Sequence, residues 1–347
     1  MGFFVAQGFV DKLGFRHEHF RMLNQTQHPS SGSKRKSGFG RRSSTNLLKL
    51  YAASSNPVGS AVSSPIPSTK LELLPASNPP VVTDYNWFRV KASEAGNFSA
   101  VMKDWERRRR RLHAEEWSNV LKAFQDARYE ILYRLPVAMV DDAIKQTAHA
   151  LGTVRQDEAK KHPNVANASP AYPTIMLFYN LVEQTGVVPS WQVVERYLFA
   201  HPDLCLKYYF MAAEVPYPSS IDELWEGEKN RAIRYRIAGF YYAFLKEIRL
   251  LAELREAGFD ARYHPLLDAE WKADILVGSI RIELFLENEG FKAENTGRKK
   301  KCISLNPGLP VVEAPMERKK LWGRVWVYDR KSVVNLMARI QAEMDKL

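Results

Sequence analysis

Cysteine is scarce in this chain, with two in 347 residues, Cys205 and Cys302, far apart and outside any Cys-x-x-Cys pattern. That scarcity excludes a disulfide framework and a cysteine-built zinc site, and it fits a reducing, cytoplasmic setting. No stretch approaches the ~18 consecutive apolar residues of a membrane span, so none is expected. The opening Met1-Gly2-Phe3-Phe4-Val5-Ala6 has no positive n-region, and Gln7 and Asp11 interrupt its apolar patch, so a secretory signal is not expected. Ala6 stands where a myristoylation signal carries Ser or Thr. The eight histidines form no His-x-x-x-His or His-Glu-x-x-His pair, and His264 reads as structural. Glycine-rich phosphate loops and Gly-x-Ser-x-Gly elbows are missing too, which leaves ATP, dinucleotide and serine-hydrolase chemistry unsupported.

What the chain does have is an ordinary apolar content and an excess of positive charge. Hydrophobic residues make up 45% and charged residues 26%, a globular composition, and the length favours two domains. A formal charge of +11 favours polyanionic partners in general. Part of it lies in residues 1–82, where Ser, Pro, Gly and Asn dominate and the clusters Lys34-Arg35-Lys36 and Arg41-Arg42 face no acids. Apolar residues are scattered there without a period, so too little surface can be buried to offset chain entropy. Residues 1–82 therefore read as a disordered basic arm. Such an arm is a linker or rides on phosphates; Asp11 and Glu18 speak against a targeting peptide.

Residues 83–220 read as a helical domain, with order beginning near Asp84-Tyr85-Asn86-Trp87-Phe88. Apolar spacing predicts a helix over Asp104 to Tyr133, ended by Pro136, and another over Val137 to Leu151, ended by Gly152. Thr153 to Pro173, polar and broken by prolines, reads as a loop. A helix over Thr174 to Gln184, a turn at Gly186 and a Ser190-capped helix to Ala200 follow. This spacing resembles a DNA-binding helix-turn-helix but reads first as an ordinary helical hairpin. Its outward Gln192, Glu195 and Arg196 are a poor set for phosphates. The run Arg107 to Arg111 is offset by Asp104, Glu106, Glu115 and Glu116, so it reads as a solvated face before a phosphate stripe. Tyr208-Tyr209-Phe210 and Tyr241-Tyr242 fall at core positions more readily than on a base-stacking platform.

Residues 221–347 change pattern. A long helix is predicted over Ile221 to Ala257, stopped by Gly258. Strands are predicted over Asp260 to Leu266, Trp271 to Val277, Ile280 to Leu286 and Gly323 to Tyr328, with a closing helix over Lys331 to Met344. Gly278-Ser279 suits a two-residue type II′ hairpin turn. Helix, three strands, insertion, strand and helix make an α/β sandwich pattern. Strand alternation puts Ile282, Leu284 and Leu286 on one face, and Arg281, Glu283, Phe285 and Glu287 on the other. Asp274 would lie near Glu283 across the hairpin, and Glu247 is an acid of the preceding helix. Each acid also has an ordinary reading: Glu247 in a run of alternating helix charges, Asp274 at a sheet edge, Glu283 paired with Arg281.

The series Glu247…Leu254…Gly258…Asp274…Glu283 resembles the PD-(D/E)XK nuclease superfamily over about the last third of the chain. The resemblance implies a restriction-endonuclease-like α/β sandwich, a helix packed on a mixed sheet with Asp and Glu on adjacent strands. It implies that Asp274 and Glu283 hold Mg²⁺ or Mn²⁺ and that Glu247 binds or orients the ion, since hard oxygen ligands suit those metals. It also implies a lysine two residues after the second acid, to orient the attacking water. Here the family's proline is Ala273, and Phe285 stands in the lysine's place.

Three readings stay open. A cation enters from Lys272, Lys292, Lys299, Lys300 or Arg281; or the metal alone activates water; or the fold persists without catalysis. Lys299 belongs to the run Arg298, Lys299, Lys300 and Lys301, the expected DNA-contacting patch beside the site and the expected source of a substitute catalytic cation. The function expected is that of a metal-dependent DNA endonuclease or close relative, of a mobile element or phage-defence system, with the helical domain binding target or protein partners. The alternatives are a non-catalytic DNA- or protein-binding subunit with a nuclease-like fold, and a helical scaffold.

Overall fold

The computed structural model describes residues 72–77, 80–96, 103, 122–166, 172–202, 205–271, 273–286, 309–316 and 325–347. Packing begins earlier than Asp84: the Leu74 N–H donates to the Arg134 carbonyl at 2.8 Å, and Leu73 lies against the core. Helix α1, Tyr85–Glu94, is started by Asp84, whose carboxylate accepts the Trp87 N–H at 2.8 Å. An Asp at this position satisfies one of the donors that a helix start leaves open.

The helix expected to reach Tyr133 ends sooner. Residues 122–126 are helical, Tyr129 forms an antiparallel bridge with Thr83, and Ile131–Arg134 is a 3₁₀ turn. The cause is a side chain: the Glu183 carboxylate takes the N–H groups of Glu130, Ile131 and Leu132 at 3.0, 3.0 and 2.7 Å. Those amides are thereby removed from a continuing helix. Helix α2 covers Val137–Gln146. The stretch read as a loop contains two short helices, α3 Gln156–Lys160 and α4 Pro163–Ala166, which bury Ala159, Val165 and Ala166. Helices α5, Tyr172–Thr185, and α6, Trp191–Ala200, flank the expected turn at Gly186, whose φ is 71°. Ser190 is the cap of α6 through its carbonyl, which accepts from Val193 and Val194; its hydroxyl makes no capping bond. Helix α7 covers Leu206–Ala212.

Helix α8, Glu228–Glu256, is the axis of the fold. It is proline-free, and from Ala232 to Leu254 nearly every residue is buried, so it lies inside the protein and not on its surface. It packs on α2, α3, α4, α5 and α7 along its length, and on β1 and the closing helix near its end. Its stop is a Schellman arrangement at Gly258, φ 90°, with the Phe259 N–H on the Leu254 carbonyl and the Gly258 N–H on the Arg255 carbonyl.

A four-stranded mixed sheet follows, in the order β1-β2-β3-β4, so the fold is α+β with helices dominant. Strands β1, Ala261–Arg262, and β2, Ile275–Val277, are shorter than expected, because Leu267–Trp271 is a π-helix between them. Strand β3, Ile280–Leu286, pairs antiparallel with β2, and Gly278 at φ 59° makes the turn. Strand β4 is Val311–Met316, parallel to β3, with Arg281 opposite Val311 and Leu286 opposite Met316. It takes the place of the strand expected at Gly323 to Tyr328, whose described residues 325–328 are outside the sheet. Helix α9, Arg330–Met344, capped by Asp329, packs on β3 and β4. Buried residues from Phe88 to Ile340 form one continuous hydrophobic core. No helix among the described residues is long and apolar enough to cross a membrane.

Candidate functional site

Four carboxylates are buried where α8 meets the sheet: Glu247 at 2% exposure, Asp268 at 2%, Asp274 at 0% and Glu283 at 3%. The buried cations among the described residues are Lys246 and Arg281. Acids so rarely lie fully inside a protein that their joint burial sets this region apart.

Glu247 is held from α5. The Tyr179 hydroxyl donates to its Oε2 at 2.6 Å, while its buried Oε1 meets no hydrogen-bond partner among the described residues. Burial raises its pKa and the nearby Asp268 charge adds to that rise, against the pull of the Tyr179 bond and of Lys246. Lys246 is buried in turn, its pKa lowered by desolvation to about 8 despite its neighbour's charge. The alternating charges of this helix segment are therefore not all solvated.

Asp274 ends the β2 ladder. Its N–H donates to the Ile282 carbonyl at 2.9 Å, and its Oδ2 accepts the Leu284 N–H. The side chain thus does what a strand carbonyl would do, and its two bonds bracket Glu283. That is a structural duty the sequence did not disclose. Arg281 shares the Glu283 face by strand alternation, and its guanidinium donates to the carbonyls of Trp271 at 3.3 Å and Leu309 at 2.8 Å. It braces the sheet to the segments on either side.

Tyrosines ring the acids. Tyr179 and Tyr263 stack at 4.1 Å, with planes 9° apart. Tyr263 keeps its proton to well above the ordinary range, through burial first and then through Tyr129 and the charges of Glu247 and Asp268. Tyr328 does the same through burial and the charges of Asp274 and Glu247, and its hydroxyl donates to the Ala314 carbonyl at 2.7 Å. One electrostatic neighbourhood therefore joins Glu247, Asp268, Asp274, Tyr263 and Tyr328. Sequence reasoning missed Asp268 and the tyrosines. The π-helix that carries Asp268 leaves no periodic signal, and the tyrosines come from three distant segments.

Among the described residues no group of three or more His, Cys, Asp or Glu side chains is gathered closely enough to hold a metal ion. The donor chemistry still suits a hard cation: these are carboxylate oxygens, and Glu247 Oε1 is buried without a partner among the described residues. Mg²⁺ in particular is commonly bound by one or two carboxylates, completed by water and substrate phosphate. Lys272, Glu287, Lys292 and the basic run Arg298, Lys299, Lys300 and Lys301 lie outside the described residues, as does Arg107 to Arg111. Glu195, expected to face outward, is half-buried and accepts the Trp225 indole N–H, which favours the helical-hairpin reading of α5 and α6. His264 is fully buried and stacked on Phe88 at 5.7 Å. Comparison with known protein families, with curated proteins and with solved structures finds no match to this chain.

Proposed function

We propose that this chain is a metal-dependent endonuclease-like protein that hydrolyses phosphodiesters in DNA, with its chemistry at the acid cluster of α8, β2 and β3. The observation that carries the reading is the burial of Glu247, Asp268, Asp274 and Glu283 together, against Lys246 and Arg281 as the buried cations described. Excess negative charge at low dielectric is relieved by protonation or by a bound cation. The arrangement of α8 beside a mixed sheet, with Asp274 and Glu283 brought together by neighbouring strands, also supports the likeness to PD-(D/E)XK nucleases and their restriction-endonuclease-like sandwich.

Asp274 and Glu283 would hold Mg²⁺ or Mn²⁺, and Glu247 would orient it. Such an ion, when bound, stabilises charge on a phosphate and makes water more acidic. The chain's own residues set the acids in place: Tyr179 orients Glu247, the Leu284 amide orients Asp274, and Arg281 fixes the strand that bears Glu283. Lys299 and its basic neighbours would contact the DNA backbone.

The test is cleavage of supercoiled plasmid with Mg²⁺ or Mn²⁺, together with Mn²⁺ binding by calorimetry. Asp274→Asn keeps an oxygen for the Leu284 amide while removing the charge; it should lower cleavage by about 10²-fold or more and weaken Mn²⁺ binding, as removal of metal-centred electrostatic stabilisation does. Wild-type protein that neither binds Mn²⁺ nor cuts would end the proposal. A second reading, a non-catalytic DNA- or protein-binding subunit, is favoured by Phe285 at the lysine position and by exposures of 3% or less at all four acids. It expects DNA or protein association with no metal-dependent cleavage.

A further inference from the structure

Under α1 lie two buried donors with no acceptor among the described residues. His264 and Trp271 are both 0% exposed, and His264 Nε2 and Trp271 Nε1 meet no hydrogen-bond partner there. His264 Nδ1 accepts the Leu266 N–H at 3.2 Å, and burial holds the imidazole neutral, with its pKa lowered to about 3. A neutral ring that accepts at Nδ1 carries its proton at Nε2, so both orphan atoms are N–H donors.

Their placement is specific. His264 precedes the π-helix Leu267–Trp271 and Trp271 closes it, and the same turn bears Asp268 of the acid cluster. Single π-turns are rare and occur frequently at functional sites. Both rings pack on one side chain: the Phe88 ring lies 5.7 Å from His264 and 5.3 Å from Trp271. Apolar cover over orphan donors costs free energy, because each has given up water for nothing. Of its residues α1 buries Phe88 and Ala92, and Gly96, just beyond it, has φ 72° and open space around it.

We propose that His264 and Trp271 form an acceptor-binding subsite for a phosphodiester oxygen of the substrate, covered in this structure by Phe88. The choice of ligand rests on the nuclease reading; the geometry does not. Neutral donors suit this position, since a cationic one would be drawn to Asp268 and Glu247 and spent on them. Withdrawal of α1 would uncover the donors.

The experiment uses the full chain with ¹⁵N-labelled tryptophan and a short DNA duplex as probe, with Trp271→Phe identifying the indole signal. Phe88→Ala should tighten duplex binding, the duplex should shift the Trp271 indole N–H resonance, and Trp271→Phe should reverse the gain by about tenfold, as loss of one hydrogen bond to a charged acceptor does. Trp271→Phe in the wild-type background gives the same comparison if Phe88→Ala does not fold. An indole signal unmoved at saturating duplex, or affinity indifferent to Trp271→Phe, overturns the subsite. Cleavage with no Trp271 effect refutes the subsite and spares the nuclease reading. A Trp271 shift with no cleavage under Mg²⁺ or Mn²⁺ supports the subsite and refutes the catalysis.

Discussion

Tyr179→Phe isolates the interaction on which the acid cluster depends. The substitution removes the hydroxyl that donates to Glu247 Oε2 at 2.6 Å, and since Oε1 has no partner among the described residues, it leaves the buried carboxyl without a hydrogen bond. Phenylalanine fills nearly the same volume and keeps the stack on Tyr263 at 4.1 Å and the edge contact with Phe244 at 5.1 Å. Packing is thereby held constant. A bond to an ionised group is worth about 1.5–3 kcal/mol and one between neutral groups about 0.5–1.5 kcal/mol.

Burial raises the Glu247 pKa above its ordinary 4.5, so the folded protein favours the protonated form. The stability linked to that form is complete below the unfolded value and is lost as pH rises through the folded one. The cost of Tyr179→Phe should therefore grow as pH rises through the folded pKa, from about 1 kcal/mol with the neutral carboxyl to about 2 kcal/mol with the ionised one. For a chain of this size the larger figure corresponds to a fall in Tm of roughly 3 °C. Glu247→Gln, neutral at every pH, should gain stability over wild type as pH rises from about 4, and in its background the Tyr179→Phe cost should stay near 1 kcal/mol throughout. Urea unfolding of the four proteins across this range measures both terms. A cost below about 0.5 kcal/mol, or one identical with Glu and Gln at 247, would falsify the picture of a carboxyl dependent on one donor.

Two further outcomes follow from the same reasoning. His264 should stay neutral in ¹H–¹³C spectra from pH 7 down to about 4, because its folded pKa is near 3, and the stability of its neutral form, complete above about 6.5, should decline as pH falls towards that value. An imidazole that titrates near 6 would contradict its burial. Gly258→Ala should lower the unfolding free energy by about 1–2 kcal/mol, read as a lower urea midpoint with an unchanged slope, since φ 90° strains a residue with a Cβ; an unaffected midpoint would deny that the helix stop needs glycine.

Much of the scaffold was legible in the chain. The helices around Gly186, the long helix stopped by Gly258, the Gly278 hairpin and the closing helix all carry local signals of period, cap or turn. The failures share another cause. Val311–Met316 joins the sheet by pairing with a strand distant in sequence, and its proline and glutamate depress any strand signal. The helix approaching Tyr133 was shortened by a carboxylate 51 residues further on, Glu183 bonding Leu132. For the site, three acids stood out because strand alternation and helix placement are periodic. Asp268 and the tyrosines did not, since a π-helix and convergence from separate segments follow no local rule. The structural duty of Asp274 was likewise invisible, because a backbone amide as partner leaves no trace in sequence.

The two margins of the sheet bear on how the protein meets others. Strand β1 is two residues long, too short to template a neighbour, and β4 at the opposite margin contains Pro315, which lacks an amide hydrogen. Brief or proline-interrupted borders discourage the addition of foreign strands. Among the described residues, self-association through backbone pairing is thus disfavoured at both borders of the sheet.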